Sequence, residues 1–326
     1  MILVTGGAGY IGSHTVKELL RAGYEVMVFD NLSTGHRELV LAREFVQGDL
    51  LNPQDLARVF SRYQIEAVLH FAAATSVPES VENPEKYYRT NVLGTLNLLS
   101  AMVKAGVKHL VFSSSAAVYG DPQKIPIPED HPKNPKNPYG RTKWMMEQVI
   151  SDYAQAYGLR FVCLRYFNAA GSDPEGEIGE WHEPETHLIP IVLEVALGKR
   201  PYLEIFGTDY ETPDGAPVRD YIHVCDLARA HVLALERLLS GEELASAYNL
   251  GIGRGYSVRE VLEVCRRVTG REIPAREAPR RPGDPAILVA DPTRAQKDLG
   301  WRPKYTALEP IVETAWSWML KMSQKS

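Results

Sequence analysis

The first half of the chain alternates short apolar runs with segments of helical period. Ile2–Thr5 is an unbroken apolar run, and Ile11–Arg21 carries an amphipathic helical pattern that ends before Gly23. Glu25–Phe29, closed by Asp30, and the short Phe45–Val46 read as second and third strands. Asp55–Arg62 reads as a helix and Ala67–Phe71 as a fourth strand. Pro84–Ala105 is a long helical pattern, with Asn83 as its N-cap and Pro84 at the first helical position. His109–Ser113 is a fifth strand, Tyr139–Tyr157 a helix and Phe161–Tyr166 a sixth strand. Strands alternating with helices predict an α/β fold, a doubly wound parallel sheet with helices on both faces. The strands lack polar alternation, as burial on two sides requires.

The texture changes after Asn168. Asp173–Gly176, His182–Pro184 and Asp209–Pro217 are loop-rich, and helical patterns return at Leu188–Leu197, Cys225–Leu239, Val258–Val268 and Leu308–Met319. The Pro-rich stretch Asp121–Pro138 is a loop inside the first unit rather than a linker. A length of 326 residues suggests two units at roughly 100–200 residues each. The expected division is 1–167 for a nucleotide-binding domain, with later segments free to return to its sheet, and 168–326 for a smaller α/β lobe carrying substrate determinants.

Composition narrows the function classes. Apolar residues make up 44% and charged residues 24%, which is globular and excludes a disordered or fibrous chain. A net charge of −5 gives no support for a nucleic-acid or anionic-membrane partner. The three cysteines Cys163, Cys225 and Cys265 form no Cys-x-x-Cys pair, which favours a reducing compartment. No metal site is expected, because His182 and His187 have neither a cysteine nor a histidine pair beside them. The N-terminus lacks a signal-peptide pattern, and no apolar stretch reaches the ~18 residues of a membrane span. The expected location is the cytoplasm.

The strongest local motif is Val4-Thr5-Gly6-Gly7-Ala8-Gly9-Tyr10-Ile11-Gly12, which holds Gly7-x-Gly9-x-x-Gly12 between a strand and a helix. Such glycines make a tight turn and let backbone N–H groups and the helix dipole face a diphosphate. A purely structural strand-to-helix turn would use the same glycines. The second strand, however, ends at Asp30, 18 residues after Gly12, where a carboxylate meets the adenosine ribose of a Rossmann-type fold. A carboxylate there repels a 2′-phosphate, so NAD is expected over NADP. Asp49 in Gly48-Asp49-Leu50 is placed for an adenine contact, and His70–Ala74 offers small residues to a cofactor lying on the backbone.

The catalytic candidates follow. Tyr139 and Lys143 are four apart in Asn137-Pro138-Tyr139-Gly140-Arg141-Thr142-Lys143, on one face of a helix capped by Asn137. A tyrosine hydroxyl near pKa 10 is a poor base at neutral pH, and a neighbouring ammonium favours its phenolate. Ser115, in Phe112-Ser113-Ser114-Ser115-Ala116-Ala117-Val118-Tyr119-Gly120, stands at the carboxyl edge of the fifth strand, placed to hydrogen-bond a substrate hydroxyl.

These segments, with Leu164–Asn168, Val218–Val224 and Arg280-Arg281-Pro282-Gly283-Asp284 in the same order, resemble the extended short-chain dehydrogenases/reductases, and within them the UDP-glucose 4-epimerases, over essentially the whole chain. The resemblance implies an NAD-dependent isomerase that oxidises the sugar C4 transiently and returns the hydride to the other face. It implies Ser115, Tyr139 and Lys143 as catalytic. Gly6, Gly9, Tyr10, Ile11 and Gly12 would cradle the NAD diphosphate, Asp30 and Asn31 the ribose, and Asp49 and Leu50 the adenine. Phe71, Ala72, Ala73, Asn91 and Ser113 would line the cofactor path, with Lys143 on the nicotinamide ribose and Tyr166 and Phe167 near the nicotinamide. Asn168, Leu188, Phe206, Arg219, Tyr221, Arg281 and Asp284 would hold the UDP portion of a UDP-hexose. Arg219 and Arg281 suit a diphosphate because guanidinium is a bidentate partner. The family usually pairs as a homodimer through the helices at Pro84–Ala105 and Tyr139–Tyr157.

Three positions depart from the family pattern and a fourth bears on specificity. Thr75 stands for a cofactor-loop Lys, Ala117 for a Thr beside the Ser loop, and His187 for an Asn near the uridine diphosphate. At Leu288, where some members place a space-filling Tyr, the smaller side chain leaves room for the 2-N-acetyl group of UDP-GlcNAc and UDP-GalNAc. Rival readings are a sugar-nucleotide 4,6-dehydratase, a UDP-uronate 4-epimerase or decarboxylase, and a non-catalytic NAD-binding sensor. The dehydratase would need a carboxylate pair where Ala116-Ala117 stands, and a sensor would not need Ser115, Tyr139 and Lys143 together.

Overall fold

A computed structural model of the chain describes residues 1–281 and 284–324. Pro282 and Gly283 of the Arg-Arg-Pro-Gly-Asp segment lie outside the described residues. Seven parallel strands form the main sheet, in the order Ala247–Leu250, Arg160–Tyr166, His109–Ser113, Ala67–His70, Ile2–Thr5, Val26–Asp30, Glu44–Gln47. In chain order the first six are β1 (Ile2–Thr5), β2 (Val26–Asp30), β3 (Glu44–Gln47), β4 (Ala67–His70), β5 (His109–Ser113) and β6 (Arg160–Tyr166). The order reverses between β1 and β4, which opens a crevice at their carboxyl ends. Ile2, Val4, Val28, Leu69 and Val111 pack into one apolar cluster, while Leu3, Met27, Phe29, Val68 and Leu110 pack into another. Both faces of each strand are therefore core, which is why apolar residues run without alternation.

Helices α1 (Tyr10–Arg21), α2 (Pro53–Arg62), α3 (Val77–Glu82), α4 (Pro84–Tyr87), α5 (Gly94–Ala105) and α6 (Pro138–Tyr157) belong to the first half. The predicted helix at Pro84–Ala105 is not uniform. Tyr88–Leu93 widens into a π-helical turn between α4 and α5, and such turns gather at functional sites. Asn83 caps this stretch and Asn137 caps α6, its side chain accepting from Gly140 N at 2.9 Å. Helix α3 adds an element that the hydrophobic pattern does not mark; its start is set by Ser76 as N-cap with Pro78 just inside.

The second half adds β7 (Asn168–Ala170), α7 (Leu188–Ala196), β8 (Leu203–Phe206), β9 (Val218–His223), α8 (Val224–Leu239), β10 (Ala247–Leu250), β11 (Gly255–Ser257), α9 (Val258–Thr269), β12 (Ala275–Ala278), β13 (Ile287–Leu288), α10 (Thr293–Asp298) and α11 (Leu308–Ser323). Here β9 is central: β7 and β13 run parallel to it and β11 antiparallel. Two pieces return to the first sheet. β10 pairs with β6, and α8 packs with α1 against one face. A separate apolar cluster of Ile189, Leu193, Tyr221, Val261 and Ile311 holds the smaller lobe. No helix among the described residues is long and apolar enough to cross a membrane.

Candidate active site

The glycine turn between β1 and α1 is built for close backbone approach. Gly6 sits at φ +74, and a Cβ there would lie 2.5 Å from Ala72 N. At Gly12 a Cβ would lie 2.1 Å from Gly6 O, so neither position admits a side chain. Gly9 is the N-cap of α1, no side chain caps it, and the first turn holds no acid. The first amides of α1 are thus left for an anionic group, which fits the diphosphate of a dinucleotide. Tyr10 contributes only backbone to this cradle, because its buried hydroxyl donates to Gly171 O at 2.5 Å. Ile11 packs against the core.

Asp30 ends β2 with both carboxylate oxygens engaged: Oδ2 accepts from Ala8 N at 3.0 Å and Oδ1 from Leu32 N at 2.8 Å. It therefore pins the glycine turn as well as standing where a ribose would lie. Burial pushes its pKa up, and the two amides pull it back. Asn31 donates to Asp49 Oδ2 at 3.1 Å, so these two predicted residues share one corner of the crevice. Leu50 is a core side chain and offers an adenine only its backbone. Phe71, Ala72 and Ala73 are half-buried after β4, and Thr75 is exposed. Asn91, in the π-helical turn, is fully buried and bonds both Ala74 N (2.8 Å) and Ala74 O (3.1 Å), as well as Thr142 Oγ1 (2.9 Å). It tethers the cofactor loop to α6.

Tyr139 and Lys143 face the sheet from the first turns of α6, and both are buried. Lys143 Nζ donates to Ser113 O at 2.9 Å. Burial lowers the Lys143 pKa to about 7, with Glu147 opposing the shift. Burial raises the Tyr139 pKa, and a hydrogen bond with Ser115 lowers it. The expected lowering of Tyr139 by Lys143 is not found within the protein alone, where desolvation of the phenolate outweighs the Ser115 hydrogen bond. Ser115 Oγ also accepts from Ala117 N at 3.1 Å, which holds the Ser loop in a short 3-10 turn. Tyr166 packs close enough to Tyr139 for charge on one to oppose charge on the other, and its hydroxyl accepts from Ser113 Oγ at 3.2 Å.

On the far side, Asn168 of β7 is in register with Tyr221 of β9, and Leu288 of β13 with Arg219 of β9. Arg219 forms an ion pair with Asp284 and donates to Val218 O at 2.8 Å. Arg281 lies 3.9 Å over the Phe206 ring. Leu188 opens α7 and packs on the lobe core. Leu288 packs with Ala116, Val118 and Phe167, which puts it beside the Ser115 loop.

One supporting network escaped the sequence reading. Arg165 of β6 donates to Glu147 of α6 through Nε (2.9 Å) and Nη2 (2.5 Å), and to Tyr119 Oη at 3.0 Å. Ser114 Oγ donates to Glu147 Oε1 at 2.5 Å, and Tyr119 Oη donates to Asn249 Oδ1 of β10 at 2.7 Å. This buried set locks the Ser loop to three elements. Its signal was legible: Arg165 is a charge in the middle of an apolar strand, which needs a buried partner.

Comparison with known proteins agrees with this geometry. Residues 2–251 match the "NAD dependent epimerase/dehydratase family". The UDP-glucose 4-epimerase of Halalkalibacterium halodurans is 56% identical over 317 residues, covering 97% of this chain and 95% of that protein. The solved UDP-glucose 4-epimerase from Brucella ovis in complex with NAD is 52% identical with a TM-score of 0.94, covering 97% of each chain. The solved enzyme from Bifidobacterium longum in complex with NAD+ and UDP is 39% identical with a TM-score of 0.93, covering 100% of this chain and 99% of that one. A cradle fitted to a dinucleotide, a buried Ser, Tyr and Lys at its mouth and these similarities agree: the chain belongs to the NAD-dependent epimerase/dehydratase family, and groups there with the UDP-glucose 4-epimerases.

Proposed function

We propose that the protein interconverts UDP-glucose and UDP-galactose by oxidising and re-reducing the sugar C4 with enzyme-held NAD. The observation that carries the reading is the convergence of Ser115, Tyr139 and Lys143 at the carboxyl end of β5, beside the β9–β13 strand pair. NAD supplies a hydride acceptor and donor. Tyr139 takes the proton from the sugar 4-hydroxyl and gives it back, and Ser115 orients that hydroxyl. Lys143 holds the nicotinamide ribose and favours phenolate at Tyr139 when protonated. Arg219 and Arg281 anchor the diphosphate, with Asn168, Leu188, Phe206, Tyr221 and Asp284 around the uridine. Anchoring the remote nucleotide lets the sugar present either face while the reactive ketone stays enclosed.

The sheet with its returning segments serves the cofactor, and the smaller lobe serves the UDP-sugar. Leu288 packs beside the Ser115 loop, and a side chain smaller than tyrosine there favours room at the sugar 2-position. UDP-GlcNAc and UDP-GalNAc are therefore expected substrates too, read as kcat/KM for both sugar pairs; no turnover of the acetylated pair removes this extension. Leu93, Met145 and Tyr157 expose apolar surface on the α5–α6 side, which supports a homodimer through those helices. Three free thiols support a reducing cytoplasm.

The deciding experiment is proton NMR of purified protein with UDP-galactose and no added NAD. Growth of the glucose anomeric signal at constant total sugar nucleotide is the expected result. Recovery only on adding NAD keeps the chemistry and assigns weak cofactor retention to Thr75. Silence in both tubes overturns the substrate assignment and makes UDP-uronates the next assay.

A further inference from the structure

A second cluster of polar side chains lies on the segment between β7 and α7. Glu180, His182, Glu185 and His187 bring four ligand atoms within 4.8 Å of one another. His187 Nδ1 is 2.9 Å from Glu180 Oε1 and shares a hydrogen bond with Glu185 Oε1 at 2.9 Å. His182 Nδ1 is 3.3 Å from Glu180 Oε1 and 3.7 Å from Glu185 Oε2. The Glu180 side chain is only 6% exposed, yet its Oε1 and the His182 Nδ1 are buried atoms that make no hydrogen bond. Two buried ligand atoms, Glu180 Oε1 and His182 Nδ1, thus stand close to the others without a hydrogen bond, which a common ion would satisfy.

A neighbouring group provides a contrast. Asp173, Glu175 and Glu177 also cluster, but the Lys17 ammonium sits among them at 2.7, 2.7 and 2.6 Å and supplies the positive charge. No lysine or arginine ion pair reaches Glu180 or Glu185 among the described residues. With both imidazoles deprotonated, as ligation requires, the two carboxylates leave a charge of −2, which a divalent cation cancels. Mixed imidazole and carboxylate ligands in fourfold number suit Zn2+. The outer shell is present as well. Glu185 Oε1 accepts from the backbone N–H groups of Thr186 (2.7 Å) and His187 (2.8 Å), which orients that carboxylate. Spacing of cysteines and histidine pairs gives no metal signal at His182 and His187; the fold adds the two glutamates.

We propose that Glu180, His182, Glu185 and His187 form a Zn2+-class site that clamps the segment before α7 against the start of α1. The ring edge of Tyr10, first residue of α1, meets His182 at 6.1 Å, and Trp181 stacks on His36 at 3.8 Å. His187 is the N-cap of α7, one residue before Leu188. The ion would thus join the cofactor helix to the helix head of the smaller lobe without touching reacting atoms.

The test uses the full untagged chain, stripped with a chelator and titrated with Zn2+ by calorimetry. Bound metal is counted after gel filtration, and Co2+ serves as a visible-band probe of tetrahedral ligation. Expected are one equivalent per chain and a raised Tm. Glu180→Gln, close to isosteric, and His182→Ala should each weaken binding by more than about 100-fold, since outer-shell changes alone cost 10–100-fold. Retained far-UV circular dichroism would show that these variants fold. Absence of stoichiometric metal in the wild-type chain overturns the proposal. Equal binding by wild type and both variants does so too.

Discussion

At the residue scale, Tyr139 is held by burial in its neutral form more firmly than a free tyrosine. The working base is the phenolate, so turnover should rise with pH as Tyr139 loses its proton. Tyr139→Phe removes the base while keeping the ring and its packing. The expected loss in kcat is about 10²–10⁴-fold with cofactor binding and Tm little changed. Steady-state kinetics beside a cofactor titration check this. A variant that keeps wild-type kcat would remove Tyr139 from its role.

At the scale of elements, the Arg165–Glu147 pair ties β6 to α6 and, through Ser114 and Tyr119, to the Ser loop. Both side chains are only 5% exposed. Arg165→Met would leave a buried carboxylate without its cation, at an expected cost of about 3–5 kcal/mol. Arg165→Met with Glu147→Leu should recover most of that stability, because apolar replacement of both partners removes the unpaired charge. Urea unfolding of the three proteins reads both values, and a double variant no better than the single one contradicts the pairing argument. The π-helical turn acts at the same scale. It carries Asn91, whose side chain bonds both the N–H and the C=O of Ala74.

At the scale of the whole molecule, four buried histidines set the acid limit. Burial holds His14 at about 4, His70 at about 3, His223 at about 3 and His231 at about 4, all below the ordinary value. The unfolded chain protonates these near 6.5 and the folded chain does not. Their contribution is therefore present above 6.5 and is lost as pH falls toward 3–4, at up to about 1.4 kcal/mol per pH unit for each. Asp220, raised by burial to about 6, partly offsets the loss. Tm should fall steeply between pH 6.5 and 5, and a flat calorimetric profile there would contradict the argument. Association belongs to this scale too. A dimer through α5 and α6 should sediment at twice the chain mass, and Leu93→Glu with Met145→Glu should return it to monomer.

Sequence alone determined what depends on local pattern and close spacing. Six strands in β-α alternation, the glycine turn, the Asn83 and Asn137 caps and the Tyr139–Lys143 face follow from periodicity, backbone freedom and helical pitch. The NAD preference follows from the single carboxylate at Asp30. Tertiary structure decided what depends on distant partners. Strand β10, Ala-Tyr-Asn-Leu, is too short and mixed to read as a strand until β6 offers it an edge, and the widened turn at Tyr88–Leu93 leaves no periodic mark. Arg165 found Glu147 across 18 residues, and Asn31 found Asp49 across another 18. Glu180, His182, Glu185 and His187 became a cluster only when an irregular loop folded back on itself. Local preferences act over a few residues, whereas long-range contacts are chosen by burial and charge compensation, which no window of sequence contains.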